Sequence, residues 1–311
     1  MANEGAQRPR ILLIGYGVRG RQWHDNCRRY RRFALAGAVD PDPQARNDAG
    51  AGGLAAWASL DEALAATRVD GAIACLRAGA GVLVEKPLAL SVADAGHIAT
   101  AARETGRPAL VGQNFRFLSR ERVVRSVLKS GDIGDPVECV IASARPPTAA
   151  ASHVREIKLA PLWDIGLHHL DALRIRFGSL PERVEAEANR NEGAIAVVLD
   201  WSGGPRVVYQ HSETAPLFHY LELVEGTTGT LTIRDEDVTL WLRRRKPRRV
   251  RVSRGPTREH VLLDAFLGAL RGEPAPELSA EDNLQTIAVI EAAARSIELG
   301  RGVLLSEVVR A

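Results

Sequence analysis

Residues 10–20 read RILLIGYGVRG, a short apolar run that leads directly into a glycine-rich turn. The run is typical of a buried β-strand, and a helix is predicted from Val18 onward. In this GxGxxG pattern Gly15 permits a tight turn, and Gly17 lets the backbone approach a pyrophosphate. Gly20 allows the helix to pack closely on the strand, and the N-terminus of the helix attracts phosphate. The stretch therefore predicts the strand, turn and helix of a nucleotide-binding α/β fold.

An aspartate follows the next apolar run. Residues 33–39 predict a second strand, and Asp40 stands at its end, 20 residues after Gly20. A carboxylate at this place can accept hydrogen bonds from the ribose hydroxyls of adenosine. It also repels a 2′-phosphate, which favours NAD over NADP, although Arg46 could relieve that repulsion. The predicted cofactor-binding residues are Gly15, Tyr16, Gly17, Val18, Arg19, Gly20 and Asp40. The alternative is a glycine-rich turn in an α/β protein that binds no nucleotide.

Strands alternate with helices up to about residue 113. The further elements predicted are strands at 82–84 and 109–111 and helices at 61–67 and 91–105. Ser91 and Asp94 form a capping-box pattern at the start of the last of these helices. Such alternation predicts an N-terminal Rossmann-like domain, residues 1–116, with a doubly wound parallel sheet.

The pattern changes beyond residue 117. Helices are predicted at 120–130, 163–177, 260–270 and 280–299, and a strand at 137–143. Strand-like runs joined by turns fill most of residues 183–253. This pattern predicts a C-terminal α+β domain, residues 117–311, with a large, mostly antiparallel open sheet.

The composition excludes several classes of protein. With 45% hydrophobic and 25% charged residues the chain is ordinary for a soluble globular protein, and a net charge of +3 predicts neither a nucleic-acid nor a membrane partner. The composition is compatible with a small neutral ligand and with a small anionic ligand. The basic run at residues 243–254 is interpreted as a solvated hairpin loop, with contact to a phosphorylated substrate or nucleic acid as the alternative.

Cysteine usage and the N-terminus bear on location. Cys27, Cys75 and Cys139 form no CxxC pair, which fits a reducing compartment, and no metal site is predicted. The first ten residues have no apolar signal core, and no apolar stretch is long enough to span a membrane. We therefore expect a cytoplasmic protein.

Two further stretches carry ionisable side chains suited to catalysis. Lys86 lies in VLVEKPLAL, residues 82–90, in a chain that otherwise uses arginine as its usual cation. A lysine ammonium is compact and its pKa can be tuned; a lysine that caps a strand end is the alternative. Asp164 and His168 are four residues apart in WDIGLHHLD, so on a helix the carboxylate can orient the imidazole as a general base. An aspartate at a helix N-terminus beside a packed histidine is the alternative there.

In this order GYGVRG, Asp40, VLVEKPLAL and DIGLHHLD resemble the glucose-fructose oxidoreductase and inositol dehydrogenase family, often shortened to Gfo/Idh/MocA. The resemblance spans nearly the whole chain. It implies an oxidoreductase that uses NAD, or NADP as the second choice, to transfer a hydride to or from a sugar, cyclitol or related polyol-like substrate. A homodimer or homotetramer, formed through the open sheet, is also implied.

The resemblance assigns roles to particular residues. Lys86, Asp164 and His168 would form the catalytic site beside the nicotinamide, with Lys86 stabilising the charge on the substrate oxygen and His168 acting as the base. Glu85 and Lys86 join the cofactor-binding residues. The Lys86–Pro87 peptide bond is expected to be cis.

One stretch departs from the family pattern. Between Ala74, where a strand should end, and Val82 there are seven residues, whereas a parallel crossover usually needs a dozen or more. We therefore expect the sheet to miss either a strand or a crossover helix. Because the family's loop at this place lines the cofactor cleft, the alternative function is a nucleotide-binding regulatory or degenerate protein without turnover.

Overall fold

The computed structural model describes residues 8–67, 71–73, 80–146, 158–252 and 255–309. The chain divides into two compact units, each built from three segments. The first unit comprises residues 1–88, 96–112 and 256–283, and the second comprises residues 89–95, 113–255 and 284–311.

The first unit contains a six-stranded sheet in which every pair of neighbouring strands is parallel. Its strands are β1 (Arg10–Ile14), β2 (Ala34–Val39), β3 (Ala56–Trp57), β4 (Gly71–Ile73), β5 (Gly81–Val84) and β6 (Ala109–Val111). The spatial order is β3-β2-β1-β4-β5-β6. Successive residues Ile11, Leu12 and Leu13 are all buried, as expected for a strand that is covered on both faces. The predicted doubly wound sheet is confirmed.

Helices follow the strands of this sheet. They are α1 (Val18–Tyr30), α2 (Pro43–Ala51), α3 (Leu60–Ala66) and α4 (Val92–Thr105). Asp42 caps α2 by accepting a hydrogen bond from Gln44 N at 3.0 Å. Ser91 Oγ likewise accepts from Asp94 N at 3.1 Å, which confirms the capping box. These caps satisfy N–H groups that have no acceptor within their own helix.

Strand β4 is present between β1 and β5, so of the two expected alternatives, a missing strand or a missing crossover helix, the first is excluded. Gly71 pairs with Gly81 and Ile73 with Leu83 in parallel register. Residues 74–79, which connect the two strands, lie outside the described part of the chain. The second alternative, a missing crossover helix, stays a prediction. The connection is shorter than the dozen residues that a parallel crossover usually needs.

Helix α7 (Arg258–Leu270) returns to the first unit from far along the chain. The rings of Phe33 and Phe266 lie 6.2 Å apart, and Arg32 Nη1 donates to Asp264 Oδ1 at 2.5 Å. A Cβ atom on Gly81 would lie only 2.6 Å from Leu270 Cδ2, so glycine at the start of β5 allows the helix to pack on the sheet.

The second unit contains a nine-stranded sheet. Its strands are β7 (Pro136–Ala144), β8 (Arg183–Ala188), β9 (Ala194–Asp200), β10 (Arg206–Ser212), β11 (His219–Gly226), β12 (Gly229–Arg234), β13 (Asp237–Leu242), β14 (Arg248–Val250) and β15 (Val303–Leu304). The order is β14-β13-β12-β11-β7-β10-β9-β8-β15, with β7 and β10 parallel and the other pairs antiparallel. The predicted, mostly antiparallel sheet is confirmed, and β13 and β14 form the hairpin expected for the basic run.

One face of this sheet is buried and the other is open. In β9 the odd-numbered residues Ile195, Val197 and Leu199 are buried while their neighbours are partly exposed. This alternation follows from the two-residue period of a strand. The remaining helices of the described residues are α5 (Ser119–Ser130), α6 (Leu167–Phe177), α8 (Ala280–Leu299) and α9 (Ser306–Val309), with 3₁₀ turns at Asn114–Phe117 and Pro276–Leu278.

Candidate active site

The glycine turn has the backbone geometry that its sequence predicts. Gly15 has φ +84°, a conformation that favours glycine, and its N–H donates to Val39 O at 2.8 Å. A Cβ atom on Gly20 would lie 2.1 Å from Gly15 O, so only glycine permits this approach of α1 to the turn. The first turn of α1 carries no acidic residue, which leaves its positive end suited to an anion.

Asp40 is fixed directly across this turn. Its Oδ2 accepts a hydrogen bond from Tyr16 N at 2.7 Å, and its Oδ1 accepts from Asp42 N at 2.9 Å. Arg46 Nη1 donates to the backbone oxygens of Asp40 and Pro41, at 2.9 and 2.7 Å. The predicted carboxylate therefore lies beside the glycine turn in a set orientation, and the guanidinium of Arg46 is engaged by backbone carbonyls.

The EKP stretch is joined to the same helix. Glu85 Oε1 accepts hydrogen bonds from Arg19 Nη2 at 2.6 Å and from Trp23 Nε1 at 2.7 Å. The Lys86–Pro87 bond is cis, as expected. Lys86, which is half-buried, follows the carboxyl end of β5, the edge where ligands bind in open α/β sheets. Within the first unit the structure thus brings Arg19 and Glu85 together near the glycine turn.

The helix predicted at residues 163–177 is present, but its first turn differs from an α-helix. Residues Leu162–Gly166 form a π turn, in which Leu167 N–H donates to Leu162 O, and α6 follows. A Cβ atom on Gly166 would lie 3.0 Å from Pro161 O, so glycine eases this wider turn. Asp164 lies inside the π turn and His168 in α6, so their relation is not the simple four-residue step of an α-helix. π turns are frequent at functional sites.

Asp164 and His168 each have an identified partner in the second unit. Arg145 Nη2 donates to Asp164 Oδ2 at 2.5 Å. His168 is buried, and its Nδ1 lies 3.1 Å from Gln113 Oε1. The rings of His168 and Phe115 stack at 4.2 Å with an angle of 7° between their planes. The orientation of His168 by Asp164 stays a prediction.

A buried polar cluster continues from Arg145 into the sheet. Arg145 Nη2 also donates to Glu213 Oε1 at 2.5 Å, and His211 Nε2 lies 3.7 Å from that oxygen. His211 Nδ1 in turn lies 2.8 Å from Ser143 Oγ. Burial raises the pKa of Glu213, but His211 and the charge of Arg145 outweigh burial, so the net shift of this pKa is downward. Glu213 is therefore ionised at neutral pH.

His169 points into a different environment from His168. Its Nδ1 lies 3.0 Å from Tyr209 Oη, and the rings of Phe115 and Tyr220 lie within 5.4 Å of its own ring centroid. Burial, followed by the charges of His211 and Arg120, lowers the pKa of His169 well below its usual value. His169 is thus a neutral core histidine.

The sequence reasoning missed several residues of this cluster, namely Gln113, Phe115, Arg145, His211 and Glu213. Arg145 follows β7 and Glu213 follows β10, and Arg145 N donates to Ser212 O at 2.9 Å. A polar residue directly after an apolar strand is a signal for such positions. It does not reveal that β7 and β10 are parallel neighbours, which is what brings the two side chains together.

Two features of the described residues bear on ligands and membranes. Among the described residues, no three His, Cys, Asp or Glu side chains are grouped as metal ligands. None of the helices described is both long and apolar enough to cross a membrane. Cys27 and Cys139 are buried free thiols, and Cys75 lies outside the described residues.

Several known proteins are similar to this chain. D-apiose dehydrogenase of Paraburkholderia graminis is 28% identical over 255 residues, which cover 74% of this chain and 68% of that protein. Myo-inositol 2-dehydrogenase of Thermotoga maritima is 25% identical over 256 residues, 76% of each. An oxidoreductase from Agrobacterium radiobacter, solved with NAD+, L-tartaric acid and magnesium, superposes with a TM-score of 0.81 at 20% identity, over 97% of this chain and 99% of its own.

Family models give the most specific result. The model of an oxidoreductase family with an NAD-binding Rossmann fold, GFO_IDH_MocA, matches residues 9–113. The model of the GFO/IDH/MocA C-terminal domain matches residues 122–232. The two matches cover most of both predicted domains, and together with the fold and the fixed Asp40 they lead to one conclusion: the protein belongs to the Gfo/Idh/MocA family of NAD-binding oxidoreductases.

Proposed function

We propose that this oxidoreductase transfers a hydride between NAD and a hydroxyl-bearing carbon of a sugar, cyclitol or related polyol. Similar proteins named as D-apiose dehydrogenase and myo-inositol 2-dehydrogenase support this substrate class. The proposal assigns cofactor binding to residues 1–116 and substrate binding and oligomerisation to residues 117–311.

The residues of the first unit fit NAD. A Cβ atom on Gly17 would meet no atom within 4 Å, so there is space for a pyrophosphate at the start of α1, and Asp40 is held where it can accept from ribose hydroxyls. Bound NAD supplies the hydride acceptor. Gly15, Tyr16, Gly17, Val18, Arg19, Gly20 and Asp40 would hold it, with Glu85 and Lys86 as further contacts. The two amides that fix Asp40 keep its charge in place, so NADP is disfavoured.

Three side chains carry the proton chemistry in this proposal. His168 takes the proton of the substrate hydroxyl: a proton on Nδ1, shared with Gln113 Oε1, leaves the ring lone pair on Nε2. Lys86 stabilises the developing negative charge on the substrate oxygen. Asp164 binds the substrate or orients the base. The observation that carries this assignment is that Asp164 and His168 are each held by an identified partner, Arg145 and Gln113.

The test is turnover by the full chain. The absorbance of reduced nicotinamide is followed while sugars and cyclitols are offered with NAD and with NADP, and His168→Ala is compared with the wild type. We expect turnover with NAD and a loss of roughly a hundredfold or more in His168→Ala, as for removal of a general base. Protection by NAD against heat unfolding without any turnover would instead identify a nucleotide-binding protein that is not an enzyme.

We also propose that the protein is a cytoplasmic homodimer or homotetramer that associates through the open face of the nine-stranded sheet. This face carries a groove of about 930 Å³ whose lining includes Val140, Leu223 and Thr239. Leu221 and Trp241, on the same groove, are 41% and 47% exposed. Apolar patches of this kind often mark interfaces. Trp241→Glu should lower the mass measured by light scattering, whereas Leu64→Glu, in the first unit, should leave it unchanged.

A further inference from the structure

Arg145 contacts two carboxylates, those of Asp164 and Glu213. Arg145 Nη2 contacts both Asp164 Oδ2 and Glu213 Oε1, each at 2.5 Å. The three side chains are similarly enclosed, with 12% of Arg145 and 13% of each carboxylate exposed. A guanidinium nitrogen of this kind has two N–H groups, and here one is available for each carboxylate. The charge of Arg145 is therefore divided between two residues of the protein itself.

The sheet explains why the three groups meet. Strands β7 and β10 are parallel, with Ser143 opposite His211. Residues two apart on a strand point to the same face, so Arg145 and Glu213 extend the face that carries these two buried side chains. Asp164 reaches this edge from the π turn. The arrangement is set by the backbone and does not depend on long, mobile surface side chains.

An arginine without such partners is a strong binder of carboxylate and phosphate groups, because its N–H groups match two oxygens at once. Both carboxylates contact the same nitrogen, Nη2, so an anionic ligand that reached Arg145, whether by displacing Glu213 or through the other N–H groups, would lie beside two carboxylates. Bringing like charges together in this way strongly disfavours binding. A neutral hydroxyl meets the opposite situation, because it can donate a hydrogen bond to a carboxylate oxygen.

We propose that Glu213 is a specificity-determining residue: by placing a second carboxylate against Arg145 it makes the site beside Asp164 selective for neutral polyols against sugar acids and sugar phosphates. The inference rests on the proposed function, since it takes Asp164 as part of the substrate site. It narrows that function, because the family relationship alone leaves both neutral and acidic substrates open. A residue that repels the wrong ligand is a common means of obtaining specificity.

The experiment measures binding, so that it does not depend on turnover. The full chain, saturated with NAD, is titrated in a calorimeter with D-glucose and with D-glucuronate, which differ in the group at one carbon. Wild-type protein should bind glucuronate more weakly than glucose, or not detectably. Glu213→Gln, which keeps the shape of the side chain, should bind glucuronate roughly tenfold or more tightly than wild type does. The double variant Arg145→Gln/Glu213→Gln should lose that gain.

The chain offers a matched control. Arg183 also lies near two carboxylates, with Glu185 Oε2 at 2.6 Å and Asp200 Oδ2 at 3.6 Å, but it is 39% exposed and lies on β8. Glu185→Gln should leave glucuronate binding unchanged. Tighter binding of glucuronate than of glucose by the wild type overturns the proposal, as does a Glu213→Gln variant that gains no affinity for glucuronate. Failure of the turnover test, with the gain in Glu213→Gln intact, would count against the proposed function alone.

Discussion

Single residues at the glycine turn are placed by short backbone contacts. Asp40 accepts from two amides, and Gly20 approaches a carbonyl too closely for any side chain. A carboxylate held in this way pays little further conformational entropy when it binds a ribose. We therefore expect the preference between cofactors to depend on single residues such as Asp40.

Asp40→Ala should weaken NAD binding and reduce the discrimination against NADP. The variant loses the acceptor for ribose hydroxyls and removes the negative charge that would face a 2′-phosphate. Calorimetric titration with both cofactors measures the change, and Asp48→Ala, which removes an exposed carboxylate paired with Arg21, is the control. Equal affinities of Asp40→Ala and wild type for NAD would contradict the assignment.

Lys86→Arg should abolish most turnover although it keeps the positive charge. The planar guanidinium is larger than an ammonium and cannot be deprotonated, so it cannot take the same place beside a developing alkoxide. Steady-state kinetics, NAD affinity and thermal stability should be measured on one sample, with the exposed Lys129→Arg as control. Full turnover in Lys86→Arg would mean that Lys86 only ends a strand.

Local sequence patterns predicted some of these residues and not others. Asp40 and Gly15 were predicted together because strand β2 ends beside the turn in every fold of this kind, and the structure places Asp40 against Tyr16 N. Arg145 and Glu213 were not, since their contact joins residues 68 positions apart through the register of β7 and β10. No local pattern encodes such a register.

At the scale of elements, segments with a clear beginning and end were predicted most closely. Helix α8 and strand β6 have the predicted bounds, because each has a clear pattern and a clear end. Helix α2 was missed because Pro43 reads as a breaker, although proline with Asp42 before it is also a normal helix start. The π turn at Asp164 was missed because it depends on the close approach of Gly166 to Pro161, which periodicity does not report.

Gly20→Ala should destabilise the protein and weaken NAD binding. The new Cβ atom would lie 2.1 Å from Gly15 O, so the turn or helix α1 must shift, at a cost of about 1–3 kcal/mol. Gly50→Ala is the matched control, since its Cβ meets no atom within 4 Å and should stabilise α2 by about 0.4–1 kcal/mol. Urea unfolding midpoints that move in the same direction for both variants would contradict this prediction.

The buried His169 should make the fold sensitive to mild acid. Its folded pKa lies well below 6.5, so below that pH the unfolded chain binds a proton that the native state does not. The free energy of unfolding should then fall by up to ~1.4 kcal/mol for each pH unit below 6.5, until the folded pKa is reached. His169→Gln should flatten this slope between pH 6.5 and 5. An unchanged slope, measured by urea unfolding, would refute the prediction.

At the scale of the whole molecule, neither compact unit is continuous in sequence. The first unit includes residues 256–283, which come after the second unit's main segment in the sequence. Helix α7 packs on β5 through Leu270 and on α1 through His260, whose ring lies 5.5 Å from that of Tyr30. The predicted division at residues 116 and 117 follows the change of pattern along the chain. A pattern read along the chain cannot show that a late helix returns to an early sheet, because helix α7 carries no local signal of its destination.

A fragment of residues 1–116 should therefore fold poorly. It lacks the helix that places Phe266 against Phe33 and Leu270 against Gly81, so apolar surface of the sheet would be left in water. A chain that joins residues 1–112 to residues 256–283 by a flexible linker should show a more cooperative thermal transition. Equal cooperativity of the two fragments would show that α7 adds nothing to the first unit.

The late position of α7 also has a consequence for synthesis. A chain grows from its N-terminus, so the strands of the first unit leave the ribosome long before the helix that covers them. At ~5–20 residues per second, making residues 113–255 takes roughly 7 to 29 seconds. During that interval the nascent sheet exposes the surface around Phe33 and Gly81. The growing protein should therefore be a client of chaperones that bind nascent chains, and circular permutation to bring α7 forward should relieve that dependence.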